Sequence, residues 1–158
     1  MSSTADREIV ISRIINAPRE LVFDAFTEQR HLSQWWGPEG FTTTTSAFEF
    51  AVDGEWVFVM HGPDGTDYPE WISWTEIVQP ERIAMLHGEF AGDPNAFVSV
   101  LTFEADGQST RIQMLTVFPT KELRDEAIQQ HGAIEGGQQT LGNLAAYVAQ
   151  MIGLGGVI

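Results

Sequence analysis

The chain has 158 residues and a mass of 17.5 kDa, long enough to bury about two thirds of its unfolded surface without a disulfide or metal staple. Hydrophobic residues make up 43% and aromatics 11%, which excludes a disordered or collagen-like chain. Eight Lys and Arg against 22 Asp and Glu give a formal net charge of -14, a field that repels phosphate backbones and anionic lipid surfaces. Nucleic acid and membranes are therefore not expected partners. Cysteine is absent, which removes disulfides, thiolate nucleophiles and Cys-based metal sites. The first residues show no basic segment followed by an apolar stretch, and no apolar run approaches the ~18 residues that cross a bilayer. A cytoplasmic protein is the expectation.

Arg7 to Ile15 is dense in Ile and Val and reads as a first strand. Pro18 suits the first position of a short helix whose Leu21, Val22, Ala25 and Phe26 share one buried face. Thr27 is placed to cap a second short helix carrying Leu32, Trp35 and Trp36, which Gly37-Pro38 ends. From Phe41 onward the pattern becomes an antiparallel meander. Strands are predicted at about Thr42 to Phe50, Glu55 to His61, Trp71 to Val78, Ile83 to Phe90, Phe97 to Glu104 and Thr110 to Phe118, with Gly, Pro and Asp turns between them. After Pro119 a short helix is predicted from Lys121 to Gln130 and a longer one from about Ile134 to Ile152. Leu141, Leu144, Ala145, Val148 and Ile152 form the longer helix's apolar stripe. One domain over residues 1–158 is expected, its core spanning about 7–152 and residues 153–158 forming a frayed or docked tail.

Alternation places Trp56, Phe58 and Met60 on one strand face and Ile112, Met114, Thr116 and Phe118 on another, so an apolar concave sheet face under the long helix is expected. That face defines a candidate binding surface for a small apolar or aromatic ligand: Trp56, Phe58, Met60, Trp74, Met85, His87, Met114, Phe118, Leu141 and Leu144. For the tryptophans the ordinary alternative is plain core, and Trp35-Trp36 reads as closing one end of the domain. His31, His61, His87 and His131 show no spacing that sets two imidazoles on one helical face, so no metal site is expected. His61 and His87 are candidates to point into a cavity, with His87 the better placed as a general base; the bland reading of each is a surface or satisfied core residue. Glu76 shares an alternating face with Ile72, Trp74 and Val78. Burial there would raise its pKa and fit it for proton transfer, whereas a salt bridge with Arg111 or Arg13 is the more ordinary role. The chain contains no G-x-S-x-G, G-x-G-x-x-G or G-x-x-x-x-G-K, so neither triad hydrolysis nor a dinucleotide or phosphate cofactor is expected.

Several ordered segments carry a family resemblance. They are Ala17-Pro18-Arg19-Glu20-Leu21-Val22-Phe23, Trp35-Trp36-Gly37-Pro38-Glu39-Gly40-Phe41-Thr42, the run Phe58 to Pro69, Pro80-Glu81-Arg82, and Gly136-Gly137-Gln138-Gln139-Thr140-Leu141 with Leu144 and Tyr147. Together they resemble bacterial proteins related to the C-terminal domain of the heat-shock-protein-90 ATPase activator, within the START-like or SRPBCC superfamily, over about residues 7 to 150. The resemblance implies an α+β helix-grip fold: a curved antiparallel sheet of about seven strands around a long C-terminal helix, with two short helices after the first strand. It also implies a cavity between sheet and helix that holds apolar or aromatic ligands. Many relatives carry Trp near the start of the final helix, where Gly136-Gly137 stand here, which implies a wider cavity mouth or a looser helix start. Cyclase or hydrolase chemistry in the same cavity is the enzymatic alternative, with His87 and Glu76 as candidates. Chaperone regulation is a further alternative that the family name suggests. The 158 residues leave no room for the eukaryotic activator's additional N-terminal domain, so a chaperone partner is not expected. A homodimer through an edge strand or the Trp-rich end is compatible with the pattern, and nothing in it specifies one.

Overall fold

A computed structural model describes residues 4–156. Its strands are β1 (Glu8–Ile15), β2 (Thr42–Phe48), β3 (Glu55–His61), β4 (Asp67–Val78), β5 (Arg82–Gly88), β6 (Phe97–Asp106) and β7 (Ser109–Val117). Its helices are α1 (Arg19–Asp24), α2 (Gln29–Trp35), α3 (Lys121–His131) and α4 (Ala133–Gly156). The strands form one antiparallel sheet in the order β1-β7-β6-β5-β4-β3-β2. This is the helix-grip arrangement: the sheet curves, and α4 lies against its inner face. No described helix is long and apolar enough to cross a membrane.

The local chemistry explains the ends of the helices. Pro18 is the N-cap of α1 rather than its first helical residue, and its carbonyl accepts from the Leu21 and Val22 amides. Thr27 does not cap α2; its hydroxyl donates to the Asp24 carbonyl at 2.9 Å, and Glu28 holds the cap position. Thr120 caps α3 by accepting from the Leu123 amide at 3.1 Å. Gly132 turns the chain from α3 into α4 with φ of 59°, a left-handed conformation that costs glycine nothing. The expected tail is helical through Gly156, and Val157 and Ile158 lie outside the described residues.

Two irregularities bend the sheet, one between Thr45 and Ala47 in β2 and one between Trp74 and Glu76 in β4. The second overturns a prediction. One extra residue at the bulge flips the alternation, so Trp74 and Ile77 both turn toward the core while Glu76 and Val78 face outward. Glu76 is half exposed and its Oε1 accepts from Arg82 Nε at 2.5 Å, a pairing with neither Arg13 nor Arg111. Strand β4 also starts four residues earlier than alternation suggested. Residues 67–70 pair only with β3, since pairing with β5 begins at Trp71, and Pro69 with no N–H to donate is tolerated on such an edge extension.

The core fills the end of the fold where α1 and α2 cover the sheet. Phe23 and Phe26 meet the Phe103 ring edge-on at 5.2 Å and 5.4 Å. Leu32, Trp35, Leu141, Leu144 and Val148 close over them, all at most 3% exposed. Trp56 and Phe58, two apart on β3, stack at 3.7 Å, and Trp74 is fully enclosed beside Phe48 and Phe50. Each such side chain contributes roughly 1.5–3 kcal/mol by leaving water.

Candidate functional site: a cavity under the start of the long helix

At the opposite end the layers separate. Between the inner face of the sheet and the first turns of α4 lies a cavity of about 550 Å³. Its roof is formed by Gly136 and Thr140 of α4 and by Trp36-Gly37-Pro38, and its mouth by Gln130, His131 and Gly132 at the α3–α4 corner. Asn143 fixes the roof by donating to the Gly37 carbonyl at 2.9 Å, and Gln139 accepts from the Glu39 amide at 3.2 Å. Small residues shape the helix here. A Cβ on Gly137 would fall 2.3 Å from Ile11 Cδ1, so a side chain there would require Ile11 to shift, whereas a Cβ on Gly136 would meet only Pro38, at 3.5 Å.

The sheet supplies the floor. Cross-strand pairing sets Met85 beside Ser99 and Ser99 beside Thr116, and in the next row sets His87 beside Phe97. Met60, Met85, His87, Met114 and Phe118, which the sequence reading placed at the site, line the cavity. Trp56, Phe58, Trp74, Leu141 and Leu144 do not; each is at most 1% exposed and belongs to the solid core at the other end. Glu76 lies on the outer face. So does His61, whose Nδ1 lies 2.7 Å from Asp67 Oδ1 and whose Nε2 lies 2.7 Å from Thr44 Oγ1.

Sequence reasoning missed Tyr68 and Glu70, because β4 was started at Trp71. Extending the alternation backward from Trp74 and Ile72 would have reached both. It also treated Trp35 and Trp36 as a unit. Helix α2 ends between them: Trp35 drops into the core with its indole N–H on the Ala25 carbonyl at 3.1 Å, while Trp36, already extended with ψ of 134°, turns to the cavity.

The polar groups are few. His87 Nε2 lies 3.2 Å from Glu70 Oε2, with the side chains 13% and 19% exposed. Ser99 and Thr116, both buried, face each other with their hydroxyls 3.5 Å apart, a weak contact that leaves each free for a ligand atom. Aromatic rings surround the His87 imidazole: Phe97 at 4.7 Å, Trp36 at 6.3 Å and, from the core side, Phe58 at 6.5 Å. Among the described residues no group of three or more His, Cys, Asp or Glu is placed to hold a metal ion.

The fold agrees with what the chain is similar to. The family model described as "Activator of Hsp90 ATPase homolog 1-like protein" matches residues 16–149. The chain belongs to this family. Solved structures of bacterial proteins show the same fold. One from Chromobacterium violaceum is 25% identical over 90% of this chain and 96% of its own, with a TM-score of 0.78. One from Nitrosomonas europaea is 20% identical over 94% and 98%, with a TM-score of 0.84. One from Arthrobacter aurescens is 22% identical over 95% and 90%, with a TM-score of 0.83. No curated protein matches the chain. The activator-homologue family thus supplies a fold of the START-like superfamily and a ligand-binding or chaperone-regulating background, with no specific ligand attached.

Proposed function

We propose that the protein binds a small, largely apolar or aromatic molecule in the cavity between the sheet and the start of α4. The observation that carries this reading is the cavity itself. At about 550 Å³ it falls within the roughly 300–1,000 Å³ of small-molecule sites, and its wall is mostly methionine, aliphatic and aromatic with a few converging polar groups. Met60, Met85 and Met114 suit a pocket that adapts to its ligand, because an unbranched thioether repacks readily. Titrating the purified protein with a panel of aromatic and acyl compounds, while following tryptophan emission and melting temperature, tests the reading. A ligand at a hundred times its Kd adds about 2.7 kcal/mol of stability, which reads as a rise of several degrees. A panel that shifts neither signal overturns it.

One observation favours acid-base chemistry as a second reading. The Glu70 carboxylate holds one nitrogen of His87 at the cavity wall and thereby orients the ring, as a base and its positioning partner require. In that reading Glu70 takes the place expected for Glu76. Replacing His87 in an enzyme assay decides it: turnover that survives His87→Gln removes the reading.

A further inference from the structure

We infer that the cavity selects organic cations, protonated amines or quaternary ammonium groups carried on an apolar or aromatic body, over neutral and acidic analogues of the same shape. The inference rests on the ligand-binding reading above and names the chemistry of its ligand. Glu70 is the only Asp or Glu on the cavity wall, and no Lys or Arg lines it among the described residues. The remaining titratable groups there are His87, His131 and Tyr68. His87 Nε2 lies 3.2 Å from Glu70 Oε2, so the ring engages one oxygen of the carboxylate, and no Lys or Arg on the cavity wall stands beside it. Oε1 of Glu70 accepts no hydrogen bond from the protein among the described residues.

The surroundings also suit a cation. Trp36, Phe97 and Phe118 line the same space, with Phe97 and Phe118 centred 5.3 Å apart. Phe41 and Tyr68 form a second pair at 6.0 Å, and Tyr68 precedes Glu70 by two on the same strand face. Aromatic faces attract ammonium groups through the ring quadrupole, the more so where water is thin. The first turn of α4 brings a fractional positive dipole to the mouth, but Glu135 stands in that turn. A net charge of -14 adds a long-range field of the same sign as Glu70, so a carboxylic acid meets repulsion on approach and, among the described residues, no Lys or Arg on the cavity wall.

Three probes with one naphthyl body test the charge alone: 2-(1-naphthyl)ethylamine, 2-(1-naphthyl)ethanol and 1-naphthylacetate, titrated at near-neutral pH by calorimetry. The expected order is amine, alcohol, acid, with the amine at least tenfold tighter than the alcohol. Glu70→Gln brings the amine-to-alcohol ratio to about one. Glu76→Gln removes the same charge from the outer face and leaves the ratio as in the parent protein, which separates a local contact from the general field. An alcohol that equals the amine, an acid that binds best, or a preference that survives Glu70→Gln overturns the inference. In those cases the ligand-binding reading stands, because a probe has bound; if no probe binds, both fall. Should Glu70→Gln not fold, the amine-to-alcohol ratio of the parent protein decides.

Discussion

His31 Nδ1 and Tyr147 Oη lie 2.6 Å apart, and this hydrogen bond ties α2 to the middle of α4. The His31 side chain is only 11% exposed, and its other nitrogen lies 3.4 Å from Glu28 Oε2. Because Trp36, which lines the cavity, directly follows α2, the bond also steadies the site. Tyr147→Phe keeps the ring and leaves a buried ring nitrogen without its partner. The expected cost is about 1–3 kcal/mol. Urea unfolding followed by circular dichroism checks it: the midpoint falls and the slope stays unchanged. A midpoint equal to that of the parent protein removes the proposed tie.

Gly136 has room for a side chain where the cavity begins. Its Cβ position meets only Pro38, at ordinary contact distance, and the residue lies within a helix, where glycine costs up to about 1 kcal/mol relative to alanine. Gly136→Trp is therefore expected to fold, with its indole entering the cavity from the roof. Probe affinity should fall at least tenfold. If the variant binds probes as the parent does, the ligand enters elsewhere.

Much of this fold is readable in the sequence, because turn chemistry and alternation agree from Asp53-Gly54 to Asp106-Gly107. What alternation cannot show is a bulge. Glu76 shares sequence parity with Ile72 and Trp74, and only the extra residue in the ladder turns it to Arg82 on the outer face. Nor does apolar character separate core from cavity wall. Trp56 and Met60 sit on one face of one strand, yet the first stacks on Phe58 in the filled end and the second borders open space, a difference set by where α1 and α2 end above the sheet. Glu70 was hidden by Pro69, whose strand-breaking tendency is harmless where β5 does not pair. The outward turn of Glu76 has its own consequence: Glu76→Ala should cost no more than about 1 kcal/mol in a melt and leave probe binding unchanged.

The tryptophans differ in what they can report. Trp36 faces the cavity, whereas Trp35, Trp56 and Trp74 are at most 3% exposed inside the core. Ligand-induced changes in emission should therefore arise mainly from Trp36. In Trp36→Phe most of the change is lost while calorimetry still detects binding; in Trp74→Phe the change persists. An unaltered response in Trp36→Phe would relocate the ligand.

Acid stability follows from carboxylates that fold into better company than water gives them. The Asp64 side chain accepts from the Thr66 amide at 3.0 Å, which holds its carboxyl below the ordinary 3.8. The hydrogen bond from Lys121 does the same for Asp125, and that from Arg30 for Glu28. A group whose pKa is lower in the folded state stabilises the fold fully above its unfolded pKa, and that contribution disappears as pH falls through the folded value. Self-repulsion works in the opposite direction, since acid also relieves the -14 charge as pH approaches the pI of about 4.4. Comparing Asp64→Ala with the parent isolates one carboxylate from that background. The parent should melt higher at pH 7, keep a constant lead down to the ordinary carboxylate range, and lose the lead below it. A lead that is the same at all pH values would assign the turn's contribution to shape rather than to charge.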